Sequence, residues 1–253
     1  MRYIRHQECE IEINNHKFFA KNASLSTASS VQDNRVYGGG LRSYSSISPL
    51  EAAVEFSYYI TGDQDPLIAL TGTHSCTGRF CGIEFSGAYL TDYSVTVSPY
   101  KLVEFSAAFS IYSGFKNETT TGSFSTDPMN LANGAYTELL NFNKNNIGLD
   151  FPTDIDYSVS CERSPNYILG HEYPQDVRLG KVKKSLSIAG ENVGSIINFS
   201  GKDFAKISIS PKNMNFAARG QTIECEGMIS SQNLNISSNG LLNGAIQIIE
   251  SAR

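Results

Sequence analysis

The chain has 253 residues, of which 40% are hydrophobic and only 18% are charged, and its formal net charge is −5. This composition argues against a disordered chain, and without clustered Lys and Arg to neutralise phosphates we expect no tight binding to nucleic acid. The N-terminus has no apolar run, and no stretch approaches the ~20 apolar residues that cross a bilayer, so we expect neither a signal peptide nor a membrane segment.

In the first half, the pattern predicts strands. We assign residues 1–20 to an N-terminal arm with a first strand, and residues 21–115 to a β-domain. Val54 and Phe56 belong to a run in which apolar and polar residues alternate, as in a strand with one buried face. At residues 65–70 (DPLIAL), an N-cap candidate and Pro precede a short apolar run, which predicts a helix of about two turns packed on the sheet.

The middle of the chain changes character before the strand pattern returns. Residues 116–150 are polar and predict a linker or a long interaction loop, with one or two weak helical turns around residues 137–140. Residues 151–253 predict a second β-domain. Leu186 lies in an alternating run of this domain, although Lys184 interrupts its apolar face.

The two halves match each other in order. GIEFSG (82–87) matches TIECEG (222–227), and after a one-residue slip VTVSPYKLV (95–103) matches LNISSNGLL (234–242), whose Asn239-Gly240 pair suits a hairpin turn. Three further matches are 58–63 with 186–191, 65–72 with 194–201, and 36–38 with 168–170. Two Gly- and Ser-rich β-domains can align in this way by chance, but five collinear matches favour two copies of one domain. We therefore predict a mainly β fold with two similar antiparallel barrel or sandwich domains, each with a short helix.

Few residues suggest chemistry. His74, Cys76 and Cys81 are the best metal candidates, but they lack a fourth ligand and a Cys-x-x-Cys unit, and a strand-turn-strand segment in which the two cysteines could form a disulfide is the simpler interpretation. The glycines at 38–40 lack the Gly-Lys-Ser/Thr ending of a phosphate loop. Residues 154–156 (DID) lack the Gly and distal Glu of a calcium loop. We predict no enzyme activity, no catalytic or metal residues and no cofactor.

Residues 86–97 (SGAYLTDYSVTV) and 103–112 (VEFSAAFSIY) resemble the closing strands of tail-tube and related virion structural proteins of bacteriophages, and residues 227–250 repeat the pattern more weakly. The resemblance implies a virion protein, made in the host cytoplasm, that forms rings around a DNA channel as a tail tube, hub or tube-adjacent component. Its partners would be itself, as a trimer or hexamer, and other virion proteins, with DNA only as non-specific cargo and no membrane. Two domains per chain favour the trimer.

Two other functions are open at the level of sequence. A β-sandwich that recognises a receptor or glycan on a virion fibre or surface could use Tyr89, Tyr93 or Tyr100. A hydrolase could assemble a pair of carboxylates in space, although the chain contains no Trp to form a sugar platform.

Overall fold

The computed structural model of the protein describes residues 11–29, 31–35, 42–46, 51–72, 74–117, 128–142, 149, 151–191, 204–236 and 242–252. Some predicted features lie outside these residues: the glycines at 38–40, the short helix of the second copy (residues 194–201, which match 65–72), the Asn239-Gly240 turn and parts of the linker.

Strands dominate both halves of the chain. The first half contains β1 (Ile11–Ile13), β2 (His16–Ala28), β3 (Val31–Arg35), β4 (Arg42–Ser46), β5 (Glu51–Tyr59), a 3-10 turn at Ile68–Thr71, β6 (Cys76–Phe80), β7 (Ile83–Val97), β8 (Glu104–Ile111) and β9 (Phe115–Asn117). The second half contains a 3-10 turn at Pro128–Asn130, β10 (Glu138–Leu140), β11 (Phe151–Asn166), β12 (Asp176–Glu191), β13 (Phe204–Ser210), β14 (Ile223–Ile236) and β15 (Leu242–Ala252).

The first half forms a closed antiparallel barrel of six strands in the order β1-β2-β5-β8-β7-β6. The predicted alternation is confirmed, because Val54, Phe56 and Tyr58 of β5 point into the barrel while Glu51 and Glu55 are exposed. Strands β3 and β4 form a separate hairpin inserted between β2 and β5, and β9 pairs with the start of β7. The mainly β fold class is therefore confirmed.

The second half has its strands in the order β10-β13-β14-β15-β12-β11, and β11 also pairs with β7 of the barrel. One continuous sheet thus runs through both halves. The buried apolar side chains of both halves also form a single cluster, so the two halves share one core rather than packing as separate bodies.

The two halves repeat one arrangement of strands. In the first half β2 pairs with β5, β5 with β8, β8 with β7 and β7 with β6. In the second half β11 pairs with β12, β12 with β15, β15 with β14 and β14 with β13. The short strands β1 and β10 then occupy the same place beside β6 and β13. β1 lies within residues 1–20 and β10 within the linker, while the domain boundaries themselves stay predictions.

A backbone irregularity recurs at matching positions in the two halves. The β7–β8 ladder shifts by one residue at Thr91, and the β14–β15 ladder shifts at Ser230. In both places the hydroxyl of the extra residue donates to a carbonyl across the ladder at 3.1 Å, from Thr91 to Ala108 and from Ser230 to Gln247. The same bulge with the same hydrogen bond is difficult to explain unless the two halves share one backbone plan.

A second recurrent shift lies in the first long strand of each half, at Lys21 in β2 and at Thr153 in β11. The two shared bulges fix the register in which the halves correspond, independently of side-chain identity. In that register β2 corresponds to β11, β5 to β12, β7 to β14 and β8 to β15.

The one-residue slip between matched segments has a structural cause. Cys76 of β6 faces Ala88, but Gly78 faces Phe85, so β7 contains one residue more than β6 at this point. Gly87 lies in this bulge with a φ of 58°, which glycine adopts without strain. The described β13–β14 ladder has no such shift, so the matched numbering changes by one at the bulge.

The match of Tyr58 with Leu186 is wrong by four residues. Tyr58 pairs with Phe105, and the shared bulge makes Gly244 the counterpart of Phe105. Gly244 pairs with Gly190 rather than Leu186. Alternation could not reveal this error, because a shift by an even number of residues leaves every side chain on the same face.

Helical content is smaller than predicted. The helix of about two turns is a single 3-10 turn at Ile68–Thr71, because the apolar run between Pro66 and Gly72 is too short to sustain an α-helix. The helical turns predicted around residues 137–140 are wrong, since Glu138–Leu140 forms β10 and pairs with β13.

Lys184 interrupts the apolar face of β12 as the sequence indicates, and a neighbouring strand compensates for it. Its Nζ lies 2.7 Å from Oε1 of Glu250, which is directly opposite on β15. Both side chains are partly buried, so the pair lets a charged residue sit on the inner side of this sheet.

Candidate functional site

The candidate metal ligands do not come together. His74 is exposed, whereas Cys76 is buried, donates its thiol to the carbonyl of Ala88 at 3.2 Å, and has its pKa raised to about 12 by burial. The described residues contain no group of three His, Cys, Asp or Glu side chains that could hold a metal ion. The sequence left open whether Cys76 and Cys81 form a disulfide, and in the structure they do not. Cys76 begins β6 and Cys81 is the first residue after it, roughly 16 Å farther along the chain if extended, and neither is in a disulfide.

The three tyrosines proposed for ligand binding have different environments. Tyr93 is buried inside the barrel and cannot reach a ligand. Tyr89 is half-buried, with the guanidinium of Arg163 at 5.6 Å from its ring centre and Tyr112 at 5.9 Å. Tyr100, in the turn between β7 and β8, is 89% exposed. A receptor- or glycan-binding role stays a prediction, with Tyr100 as its accessible tyrosine.

The DID segment at residues 154–156 lies in strand β11. Ile155 points into the core, and the two carboxylates share the opposite face. Asp154 accepts a hydrogen bond from the hydroxyl of Ser98 at 2.7 Å, which ties the start of β11 to the end of β7. The Asp154 carboxylate therefore belongs to the contact between the two halves.

A buried carboxylate that the sequence did not reveal lies inside the barrel. Asp65 is 3% exposed and accepts hydrogen bonds from the hydroxyls of Tyr58 and Tyr93, each at 2.7 Å, and from the backbone N–H of Leu67 at 3.0 Å. Burial raises the pKa of Asp65, and the three hydrogen bonds oppose this shift. The cluster connects β5, β7 and the start of the 3-10 turn. Because it is buried, a substrate cannot reach it.

The most distinctive feature is the junction at which β11 replaces β6 as the strand that pairs with β7. β6 pairs with β7 only as far as Ala88, and residues 92–97 of β7 pair with residues 155–160 of β11 instead. Ile155 faces Val97 and Tyr157 faces Val95 on the core side. The first long strand of one half thus fills the edge that the other half leaves vacant.

Arg163 extends this junction beyond the paired residues. Its Nε donates to the carbonyl of Leu90 at 2.9 Å and its Nη2 to the carbonyl of Leu70 at 3.4 Å, while its guanidinium lies over the ring of Tyr89. Burial lowers its pKa, although the nearby phenols and thiols oppose the shift. One arginine of β11 therefore contacts both β7 and the 3-10 turn of the barrel.

A second contact between the halves is centred on Arg219. Its side chain is 13% exposed and donates to the carbonyl of Asn130 at 2.7 Å, to the side chain of Asn130 at 3.3 Å and to Asp63 at 2.9 Å. Next to it, the N–H of Gly220 donates to the carbonyl of Gly62 at 2.9 Å. Arg219 thus joins both halves and the segment between them.

Replacing Arg219 with alanine is expected to lower the free energy of unfolding by about 2–3 kcal/mol, because the carbonyl of Asn130 loses a charged donor. Urea denaturation followed by far-UV circular dichroism measures the change. Arg178→Ala is the matched control, since the 74% exposed Arg178 makes only a surface pair with Asp176, and such pairs contribute at most ~1 kcal/mol. Equal effects of the two substitutions would contradict this role for Arg219.

The face of the continuous sheet that points away from the core is polar and crosses from one half to the other. Five serines form a row across this face, one on each of the adjacent strands β5, β8, β7, β11 and β12, and each is directly opposite the serine of the next strand. Its members are Ser57, Ser106, Ser94, Ser158 and Ser185. Because the row spans the β7–β11 junction without interruption, the two halves present one common surface.

The charges beside this row are mostly acidic. Glu55, Asp92 and Asp156 are exposed on the same face, and Glu104 is paired with Lys21 at 2.7 Å. A polar surface of this kind does not attract a polyanion, because neutralising phosphates requires clustered Lys and Arg.

No family model and no curated protein matches the chain. None of the helical segments among the residues that the structure describes is long and apolar enough to cross a membrane. The two contacts between the halves and the polar face are the structural features that bear on function.

Proposed function

We propose that this chain is a structural component of a bacteriophage virion that assembles with copies of itself into rings around a DNA channel. A tail-tube, hub or tube-adjacent position fits best. The observation that carries the proposal is the β7–β11 junction, at which two repeats of one strand arrangement join edge to edge into a single sheet. A chain built from units that already associate through strand edges has the means to associate with further copies.

The polar face of the continuous sheet is suited to line the channel, so that DNA would pass along it. Small neutral hydroxyls such as Ser94 and Ser158 can hydrogen-bond to water, and the acidic residues around them repel phosphates. DNA would then move past without being held. With two repeats in each chain, a trimer supplies six pseudo-equivalent units, which makes the trimer the favoured ring.

Mass photometry and negative-stain electron microscopy of the purified full-length chain, over a range of concentrations, test the proposal. We expect ring-shaped particles or stacked tubes of uniform diameter, with a mass that is a multiple of three chains. The rings should persist at high salt, because only 18% of the residues are charged and pairing through strand edges relies on backbone hydrogen bonds. A particle that stays monomeric at every concentration, alone and with the other proteins of its virion, would contradict self-assembly.

A further inference from the structure

We infer that residues 23–28 of β2 in one copy of this chain pair with residues 231–236 of β14 in a second copy, in the geometry of the internal β7–β11 junction. The inference deepens the proposed self-assembly and rests on it. It names the two surfaces, the partner and the register of the contact.

Both strand edges are open in the described part of the single chain. β2 pairs with β5 on one side and, on the other, only with β1 at residues 16–18. β14 pairs with β15 on one side and, on the other, with β13 only as far as Met228. Because β2 corresponds to β11 and β14 to β7, the open edges are the counterparts of the two edges that join inside the chain.

The shared bulges set the register of the inferred pairing. Lys21 and Thr153 align β2 with β11, and Thr91 and Ser230 align β7 with β14. When the internal pairs are transferred through these alignments, the apolar pairs are Ala23 with Ile236 and Leu25 with Leu234. The polar pairs are Ser24 with Asn235 and Ser26 with Asn233. Apolar residues face apolar ones and polar residues face polar ones throughout, including Thr27 with Gln232, apart from the end pair Ala28–Ser231.

The exposure of apolar side chains on β14 also indicates a missing neighbour. Val95 and Val97 of β7 are 0% and 4% exposed beside β11, whereas their counterparts Leu234 and Ile236 are 39% and 78% exposed. Covering such side chains is favourable by about 25 cal/mol for each Å² of apolar surface removed from water. Ala23 and Leu25 on the edge of β2 would supply that cover.

The composition of both edges agrees with pairing. Residues 22–28 (NASLSTA) and 231–236 (SQNLNI) contain no Lys, Arg, Asp, Glu or Pro. Exposed edge strands of monomeric proteins usually carry such residues, which prevent a second chain from adding to the sheet. No charge has to leave water when these two edges meet.

The contact joins different surfaces of the two copies, so each chain offers one of each and the contact repeats from copy to copy. Such a head-to-tail contact closes into a ring when its rotation allows, and otherwise continues as a filament. Second repeats and first repeats then alternate around the assembly, with the internal junction and the inferred one in turn.

Disulfide trapping between two variants, each with one cysteine added to the five of the native chain, tests the inferred register. Full-length Ser26→Cys protein is mixed with full-length Asn233→Cys protein under mild oxidation, and the products are resolved on a non-reducing gel and by mass spectrometry of the linked peptides. Opposed residues of an antiparallel pair have Cα atoms about 4.5–5.5 Å apart, within the range of a disulfide. Ser24→Cys with Asn235→Cys is the second test pair. Ser24→Cys with Ser231→Cys is the matched control, because those positions share a face but lie roughly 13 Å apart along the inferred pairing.

We expect both test mixtures to shift from monomer to a linked dimer, while the control mixture and each variant alone do not. Particles that assemble without either test link would overturn this interface and leave the proposed self-assembly intact. A control pair that links as readily as the test pairs would overturn the register. A chain that neither assembles nor links would overturn both the interface and the proposed function.

Discussion

Replacing Asp65 with alanine is expected to lower the free energy of unfolding by about 3 kcal/mol, because two buried tyrosine hydroxyls lose their acceptor. For a chain of this length such a loss corresponds to a fall in Tm of roughly 10 °C. Differential scanning calorimetry or urea denaturation measures it. Asp156→Ala is the control, since Asp156 is exposed and surface substitutions usually stay within about 0.5 kcal/mol.

Two further substitutions separate the effect of the unpaired hydroxyls from the other effects of Asp65→Ala. Adding Tyr58→Phe and Tyr93→Phe to Asp65→Ala removes the unpaired groups, so the triple variant should be more stable than the sum of the single changes predicts. Strict additivity would show that the hydroxyls do not depend on Asp65.

The same carboxylate gives the stability a defined pH dependence. Burial raises the pKa of Asp65 above its ordinary value of 3.8, so the folded chain holds this proton more tightly than the unfolded chain does. Its contribution to stability is therefore complete below 3.8 and is lost as the pH rises through the folded pKa. Asp65→Asn does not titrate, so the difference in unfolding free energy should move in favour of this variant across that window. A difference that is constant with pH would contradict a raised pKa.

Replacing Gly134 with alanine is expected to destabilise the fold by about 3 kcal/mol. An added Cβ would overlap the carbonyl oxygen of Ser98 and lie 2.8 Å from its carbonyl carbon, and backbone atoms cannot rotate away as a side chain can. The segment is also fixed on both sides, because Gly134 donates to the carbonyl of Lys101 and Asn133 to that of Lys212, each at 2.8 Å. Relief of the overlap would break the contact between the halves.

Gly72→Ala is the control for this substitution, since nothing lies within 4 Å of the position that its Cβ would occupy. Urea denaturation should separate the two variants clearly, with the control close to wild type. Limited proteolysis should cut the Gly134→Ala protein faster near the segment between the halves. A Gly134→Ala protein as stable as the control would show that this segment can move away from the β7–β8 turn.

The sequence predicted the faces of the strands well and their neighbours poorly. Alternation in β5 and β8 identified the buried residues, because the period of a strand is a local property. The pairing of β7 with β11 joins residues more than 50 positions apart, and no local pattern encodes which strand lies beside which. The internal repeat carried more information, since its one-residue slip marks the bulge at Gly87.

The sequence did not reveal the roles of the buried polar residues for a similar reason, because their partners are distant along the chain. Asp65 resembled an N-cap, and it does accept the N–H of Leu67, but its two tyrosine partners come from other strands. Arg219 lies in an ordinary polar loop of the sequence and acquires its role only when Asn130 and Asp63 reach it. The uncharged edges at 22–28 and 231–236 were the one available signal, because serine, asparagine and leucine alternate there without a single charge.

The pairing of β11 with the end of β7 has a consequence for synthesis on the ribosome. The barrel contains all six of its strands once Ile111 has been made, whereas β11 is complete only about 50 residues later, a delay of several seconds at about 5–20 residues per second. Throughout that interval the nascent barrel presents residues 92–97 without their partner. Neighbouring ribosomes on one messenger carry chains with the same vacancy and with a finished β2, so crowded translation favours premature joining of unfinished chains.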